Sequence, residues 1–121
     1  EVDGPLQIIL VVRYGAVVRV LNTSTGSNVP YEEVYEGKTY RGSARTPAGS
    51  FSVFREVDKL DKGPLGSLYR PKYFNGGIAI HGAASIPPYP ASHGCARVSN
   101  AAMDLIWAEN SMAIGARVTV Y

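Results

Sequence analysis

Two apolar runs open the chain. Leu6 to Arg13 is dense in leucine, isoleucine and valine, and Ala16 to Leu21 repeats that character. Tyr14-Gly15 between them allows the positive φ of a tight turn, so the two runs predict a β-hairpin. Asn22 to Pro30 collects serine, threonine, asparagine, glycine and proline, and reads as a turn cluster that ends the second strand. Tyr31 to Arg41 mixes tyrosine and valine with charges around Gly37, which predicts a polar excursion with room for a second hairpin. Pro47 and Gly49 form a turn that launches Ser50 to Val57, where Phe51 and Val53 alternate with Ser52 and Phe54 at the two-residue period of a strand.

From Asp58 to Asn75 the pattern breaks into charges, glycines, prolines and aromatics, and a long irregular segment is expected there. Gly77 to His81 is a short apolar strand. Ile86-Pro87-Pro88-Tyr89-Pro90 excludes a helix or a central strand, because its prolines lack a donor and fix φ. The one convincing helix starts at Ser99-Asn100, which offer an N-cap, and runs to about Asn110, with Asp104 placed in its first turn. Met103, Ile106 and Trp107 give it an apolar stripe suited to packing on a sheet. Arg117 to Tyr121 is a terminal strand. The expected fold is mainly β, a small β-sandwich or curled mixed sheet with one short α-helix near the C-terminus, and residues 1–121 form a single domain.

Composition narrows this little. Hydrophobic content of 45% and charged content of 18% are ordinary for a globular chain. A net charge of +2 without a basic run argues against a nucleic-acid partner. No apolar segment is long enough to span a bilayer. Glu1 is not followed by a charged and then apolar leader, so an exported enzyme with this sequence is expected to be a mature or trimmed fragment of a longer chain.

Chemistry concentrates in one window. Cys95 is the only cysteine, His81 and His93 are the only histidines, and Ser92-His93-Gly94-Cys95-Ala96-Arg97 lies shortly after Ile80-His81-Gly82. A thiol attacks as thiolate, so a nucleophilic Cys95 needs an imidazole to take its proton. Gly94 before it permits a tight turn, and the N–H groups of Gly94 and Cys95 are then candidates to face a developing oxyanion. Both histidines compete as the base. His93 is two residues away in the same loop, whereas His81 ends a separate strand and reaches the thiol from across the loop. Arg97 supplies a planar fork for loop carbonyls or a substrate carboxylate, and Ser92 a hydroxyl in the same loop. Tyr69, Tyr73 and Phe74 are candidates to line a cleft. A rival reading joins His81, His93 and Cys95 as three zinc ligands, but the spacing lacks a recognised metal motif. No metal and no cofactor are expected.

The wording of the window resembles the signature of the L,D-transpeptidase catalytic domain (the YkuD type) of bacterial cell walls. Thr46-Pro47-Ala48-Gly49-Ser50-Phe51 is similar to the family's Thr-Pro-x-Gly-x-Phe segment, Gly76 to Gly82 to its approach to the first histidine, and Gly115 to Val120 to its final strand. The resemblance implies Cys95 as nucleophile and His81 as base, with the second ring nitrogen of His81 held by a backbone carbonyl near Gly82. It makes the His93-Gly94-Cys95 loop the oxyanion site and Gly82, Ser92 and Arg97 its support. It also implies peptidoglycan stem peptides as partners, release of D-alanine, a cross-link between third residues of two stems, and a carbapenem adduct at Cys95. An exported location, a monomer and no cofactor complete that expectation. Transfer to water, transfer to a protein amine, and a non-catalytic wall-binding module are its rivals.

Overall fold

The protein is described here over residues 1–121 by a computed structural model. Strands β1 (Val2–Asp3), β2 (Ile8–Arg13), β3 (Ala16–Asn22), β6 (Gly49–Ser52) and β12 (Arg117–Val120) form one sheet in the order β3-β2-β1-β12-β6. A second sheet runs β11 (Ala96–Ser99), β10 (Ile78–Ala83), β9 (Gly66–Asn75), β7 (Arg55–Glu56), with β8 (Leu60–Gly63) also paired to β9. Strands β4 (Pro30–Tyr35) and β5 (Lys38–Ser43) make a separate two-stranded ribbon. The single helix, α1, is Asn100–Ala108.

Both predicted hairpins form. Tyr14-Gly15 and Glu36-Gly37 turn with φ of 53° and 76°, and 50° and 76°, the type I′ geometry that matches strand twist. The apolar core lies between the sheets: Ile9, Val11, Val118 and Val120 face Phe74, Ile80, Ala96 and Val98, with Met103 and Ile106 of α1 closing one side. Ser99 caps α1 by accepting the Ala102 N–H at 3.0 Å, and the helix packs on β10. No helix is long and apolar enough to cross a membrane.

Three expectations need correction. Asp58 to Asn75 is a β-hairpin and not an irregular segment: β8 and β9 pair from Leu60↔Tyr69 to Gly63↔Gly66. Pro71 and the charges masked it, and Pro71 is accommodated because it sits in a bulge. Two residues of β9, Arg70 and Pro71, oppose the single residue His81 between the pairs Ile80↔Lys72 and Gly82↔Tyr69. Ser50 to Val57 is not one strand either: β6 and β7 belong to different sheets, and the chain crosses between them at the buried Val53. Asp104 lies beyond the first turn of α1, where it accepts from the Tyr69 hydroxyl at 2.6 Å and from Arg70 at 2.9 Å. On that flank Lys72, only 1% exposed, reaches Glu56 at 2.9 Å and lies 3.8 Å from the Trp107 ring centre, so its charge is buried with a partner.

Removing packing between the sheets should be far more costly than trimming the ribbon. Ile80→Ala should lower stability by about 2–5 kcal/mol in denaturant titration, whereas Val34→Ala, on the exposed face of β4, should change it by less than about 0.5 kcal/mol.

Candidate active site

Strand register assembles the site. β10 and β11 run parallel, pairing Ile80↔Ala96, His81↔Arg97 and Gly82↔Val98. Ile80, Ala96 and Val98 point into the core, so alternation puts His81 and Arg97 on the opposite face. Cys95, two residues before Arg97, shares that face, and its Sγ accepts the Ala79 N–H at 3.4 Å. Tyr73 and Arg55 extend the same row, through the pairs Ala79↔Tyr73 and Arg55↔Tyr73. A cleft of about 510 Å³ opens over this face, lined by Cys95, His81, Arg97, His93 and Tyr73, with the tip of the β8–β9 hairpin along one side. His81 Nδ1 lies 2.8 Å from the Gly82 carbonyl, which can only accept, so Nδ1 carries the hydrogen and Nε2 is left as an unprotonated nitrogen.

The loop that delivers Cys95 is laced down from beneath. Thr23 to Ser27, expected only to terminate a strand, runs beside it. Ser24 and Arg97 exchange backbone bonds at 3.2 and 3.0 Å, and Thr25 O accepts the N–H groups of Ala91 and Ser92, each at 3.0 Å. Gly94 takes a φ of 137°, a conformation open to glycine. The Thr46 hydroxyl donates to the Gly94 carbonyl at 2.5 Å and accepts the Gly26 N–H at 2.9 Å. Ser92 donates to the Cys95 carbonyl and accepts the Gly94 N–H at 3.0 Å. The Gly94 N–H is therefore engaged within the loop and not free for an oxyanion, which leaves the Cys95 N–H of the expected pair. Thr46 was legible as part of a motif, but nothing in its spacing disclosed that it holds Gly94.

Of the aromatic candidates only Tyr73 lines the cleft, with its hydroxyl donating to Asp61 at 2.5 Å and Arg55 stacked 4.6 Å from its ring centre. Phe74 is buried in the core against Phe51. Tyr69 would share a face with Tyr73 in a regular strand, but the Arg70–Pro71 bulge inverts the alternation and turns it toward α1. His93 lines the cleft yet leans toward β4, where Glu33 and Tyr31 meet it. No three His, Cys, Asp or Glu side chains converge as a metal-holding group, so the zinc constellation of His81, His93 and Cys95 does not form.

The family model of the L,D-transpeptidase catalytic domain (YkuD) matches residues 1–120. The chain belongs to that family. Its fold superposes on an L,D-transpeptidase (residues 123–326) from Xylanimonas cellulosilytica with a TM-score of 0.89 and 50% identity, covering 99% of this chain and 58% of that one. An L,D-transpeptidase from Mycobacterium smegmatis gives a TM-score of 0.74 at 19% identity, covering 99% of this chain and 56% of that one. A third, the transpeptidase LdtMt1 in complex with imipenem, gives 0.75 at 18% identity, covering 99% and 56%. The chain thus spans a little over half the length of these solved relatives. No curated protein matches the chain.

The electrostatics of this L,D-transpeptidase domain favour a neutral resting pair. Burial pushes the Cys95 thiol up, opposed by the Ala79 N–H and by the charge of Arg97. Burial pulls His81 down against the Gly82 hydrogen bond, and Arg97 adds to the fall. As pH drops, His81 therefore stays neutral to below the usual histidine range. As pH rises, Cys95 stays a thiol to above the usual thiol range. Alkylation of Cys95 by iodoacetamide, followed by intact-protein mass spectrometry, should accordingly be slow at neutral pH and accelerate only above that range. Arg97→Gln should move the acceleration to still higher pH. A fast plateau at neutral pH would contradict the neutral pair.

Proposed function

We propose that this domain is an exported peptidoglycan L,D-transpeptidase that works through a Cys95 acyl-enzyme. The observation that carries the proposal is the placement of the Cys95 thiol and the unprotonated Nε2 of His81 on one face of the β10–β11 pair, over one cleft. In the first half-reaction His81 Nε2 takes the thiol proton as Sγ attacks the carbonyl of the third, L-centred residue of a tetrapeptide stem. The Cys95 N–H faces the developing oxyanion, a contribution of a few kcal/mol in acyl transfer. His81 then returns the proton to the departing nitrogen of D-alanine, leaving a thioester. An amine of a second stem resolves it and joins two third residues. Arg97 holds the loop through the Ala91 carbonyl at 3.4 Å and sets the potential at both reacting groups.

The neighbour solved with imipenem supports the use of a carbapenem as probe. Incubation with a carbapenem should give a single covalent adduct by intact-protein mass spectrometry, mapped to the peptide containing Cys95 and absent from Cys95→Ala. Wild-type protein that stays unmodified while a simple thiol reagent labels Cys95 would favour a wall-binding module. His81→Ala should slow acylation by about 100- to 10,000-fold, the usual contribution of a general base, and by far more than His93→Ala does. Stopped-flow acylation with the reverse order would exchange the two assignments. Turnover of a tetrapeptide-bearing muropeptide should survive exhaustive treatment with a chelator.

A further inference from the structure

The β4–β5 ribbon pairs with neither sheet, yet it has an inward face. Along β4 the half-buried positions are Tyr31, Glu33 and Tyr35, while Pro30, Glu32 and Val34 are exposed. The base of the ribbon is pinned by the backbone bonds Asn28 to Ala44, 2.7 Å, and Ala44 to Val29, 2.9 Å, immediately beneath the loop carrying Gly94. That inward face meets His93. Glu33 Oε1 lies 3.1 Å from His93 Nε2, and the Tyr31 ring packs edge-on at 5.3 Å and 76°. Glu32 is engaged by Arg41 at 2.9 Å, whereas the one charged partner of Glu33 is His93.

A carboxylate accepts only, so in neutral His93 the hydrogen sits on Nε2 and the lone pair on Nδ1. No protein group bonds that Nδ1, and His93 lines the same cleft as Cys95 and His81. In their neutral forms the two histidines of the cleft thus each have a tautomer set by a hydrogen-bond partner and one nitrogen with a lone pair. His81 is held by a carbonyl on β10, and His93 by a carboxylate on the ribbon. A cysteine acyl transfer to an amine has a use for both. An acceptor amine arrives as ammonium and must lose a proton before it can attack, and its nitrogen must lose a second while the thioester collapses.

We propose that Glu33 and His93 form a second proton-accepting pair that deprotonates the incoming ammonium of the acceptor, leaving His81 for the thiol. The proposal rests on the acyl-enzyme reading above. The ammonium passes a proton to His93 Nδ1, giving an imidazolium paired with Glu33. The neutral amine attacks the thioester carbon, and its nitrogen yields a second proton to His81 Nε2. The C–S bond breaks, the sulfur takes the proton back from His81, and the amide is released. The net change is thioester plus ammonium to amide, thiol and one proton, which leaves through His93. His93 is the catalytic residue of this step, and Glu33 is a positioning residue acting through it.

Hydroxylamine separates this role from a structural one, because it is already neutral at pH 7 and needs no deprotonation before attack. Wild-type protein and the Glu33→Gln, Glu33→Asp and His93→Gln variants are acylated with a tetrapeptide stem, then resolved with a stem bearing an ammonium acceptor or with hydroxylamine. Products are quantified by mass spectrometry. His93→Gln should slow transfer to the ammonium acceptor by about 100-fold or more, the range of a general base. Glu33→Gln should slow it by about fivefold, which is ~1 kcal/mol, the upper end for a half-exposed ion pair. Glu33→Asp should recover part of that loss, and transfer to hydroxylamine should fall in none of the three variants as it does with the ammonium. Equal losses with both acceptors, or no loss with either, would overturn the proposal while a Cys95 carbapenem adduct still upholds the acyl-enzyme. Absence of any Cys95 acylation in the wild-type protein would overturn both.

Discussion

The parallel ladder between β10 and β11 pairs His81 with Arg97 and, two residues earlier on both strands, sets Cys95 beside Ala79. The shared face of His81, Arg97 and Cys95 follows from that register. Because side chains alternate, the same ladder that buries Ile80, Ala96 and Val98 must present His81, Arg97 and Cys95 to the cleft. A slip of one residue would send the apolar set to solvent and the reactive set into the core, so the hydrophobic effect that stabilises the fold also enforces the geometry of the chemistry.

Register alone leaves the Cys95 loop unsupported, since loops carry backbone groups that water would otherwise satisfy. Here a polar layer takes that role. Thr23, Ser24 and Thr25 are buried, Gln7 bonds Thr25 through both ends of its amide at 2.8 and 3.0 Å, and Thr46 and Ser92 bracket Gly94. No buried side-chain nitrogen or oxygen lacks a partner. A fully satisfied network of this kind is rigid, because each member that moved would abandon a hydrogen bond in a low-dielectric setting. The same burial disfavours both the thiolate of Cys95 and the imidazolium of His81, so the cleft favours a neutral thiol and a neutral imidazole.

Elements governed by neighbours in sequence were readable from the chain. The Tyr14-Gly15 hairpin, the Ser99 cap and the helix stripe of Met103 and Ile106 each depend on local turn chemistry or a short period, and each forms as expected. The β8–β9 hairpin was not readable. Its charges pair across space, Arg70 with Asp58 and Asp104, and Lys72 with Glu56, and its proline is absorbed by a bulge whose existence depends on β10. Along the chain those residues look like a solvated loop. Likewise Tyr69 and Tyr73 looked equivalent until the bulge placed them on opposite faces.

The sequence by itself determined which atoms were available for chemistry: one thiol, two imidazoles, an arginine and a glycine-bearing turn, in an order similar to one family. It did so because residue type and short-range spacing are local properties. Only the tertiary structure decided what each of them meets. His93 is bound by a glutamate 60 residues away, and the Gly94 carbonyl by a threonine 48 residues away. Those partners are chosen by sheet register and by a ribbon folding back over the loop, and long-range contacts of that kind leave no period in the chain from which they could be read.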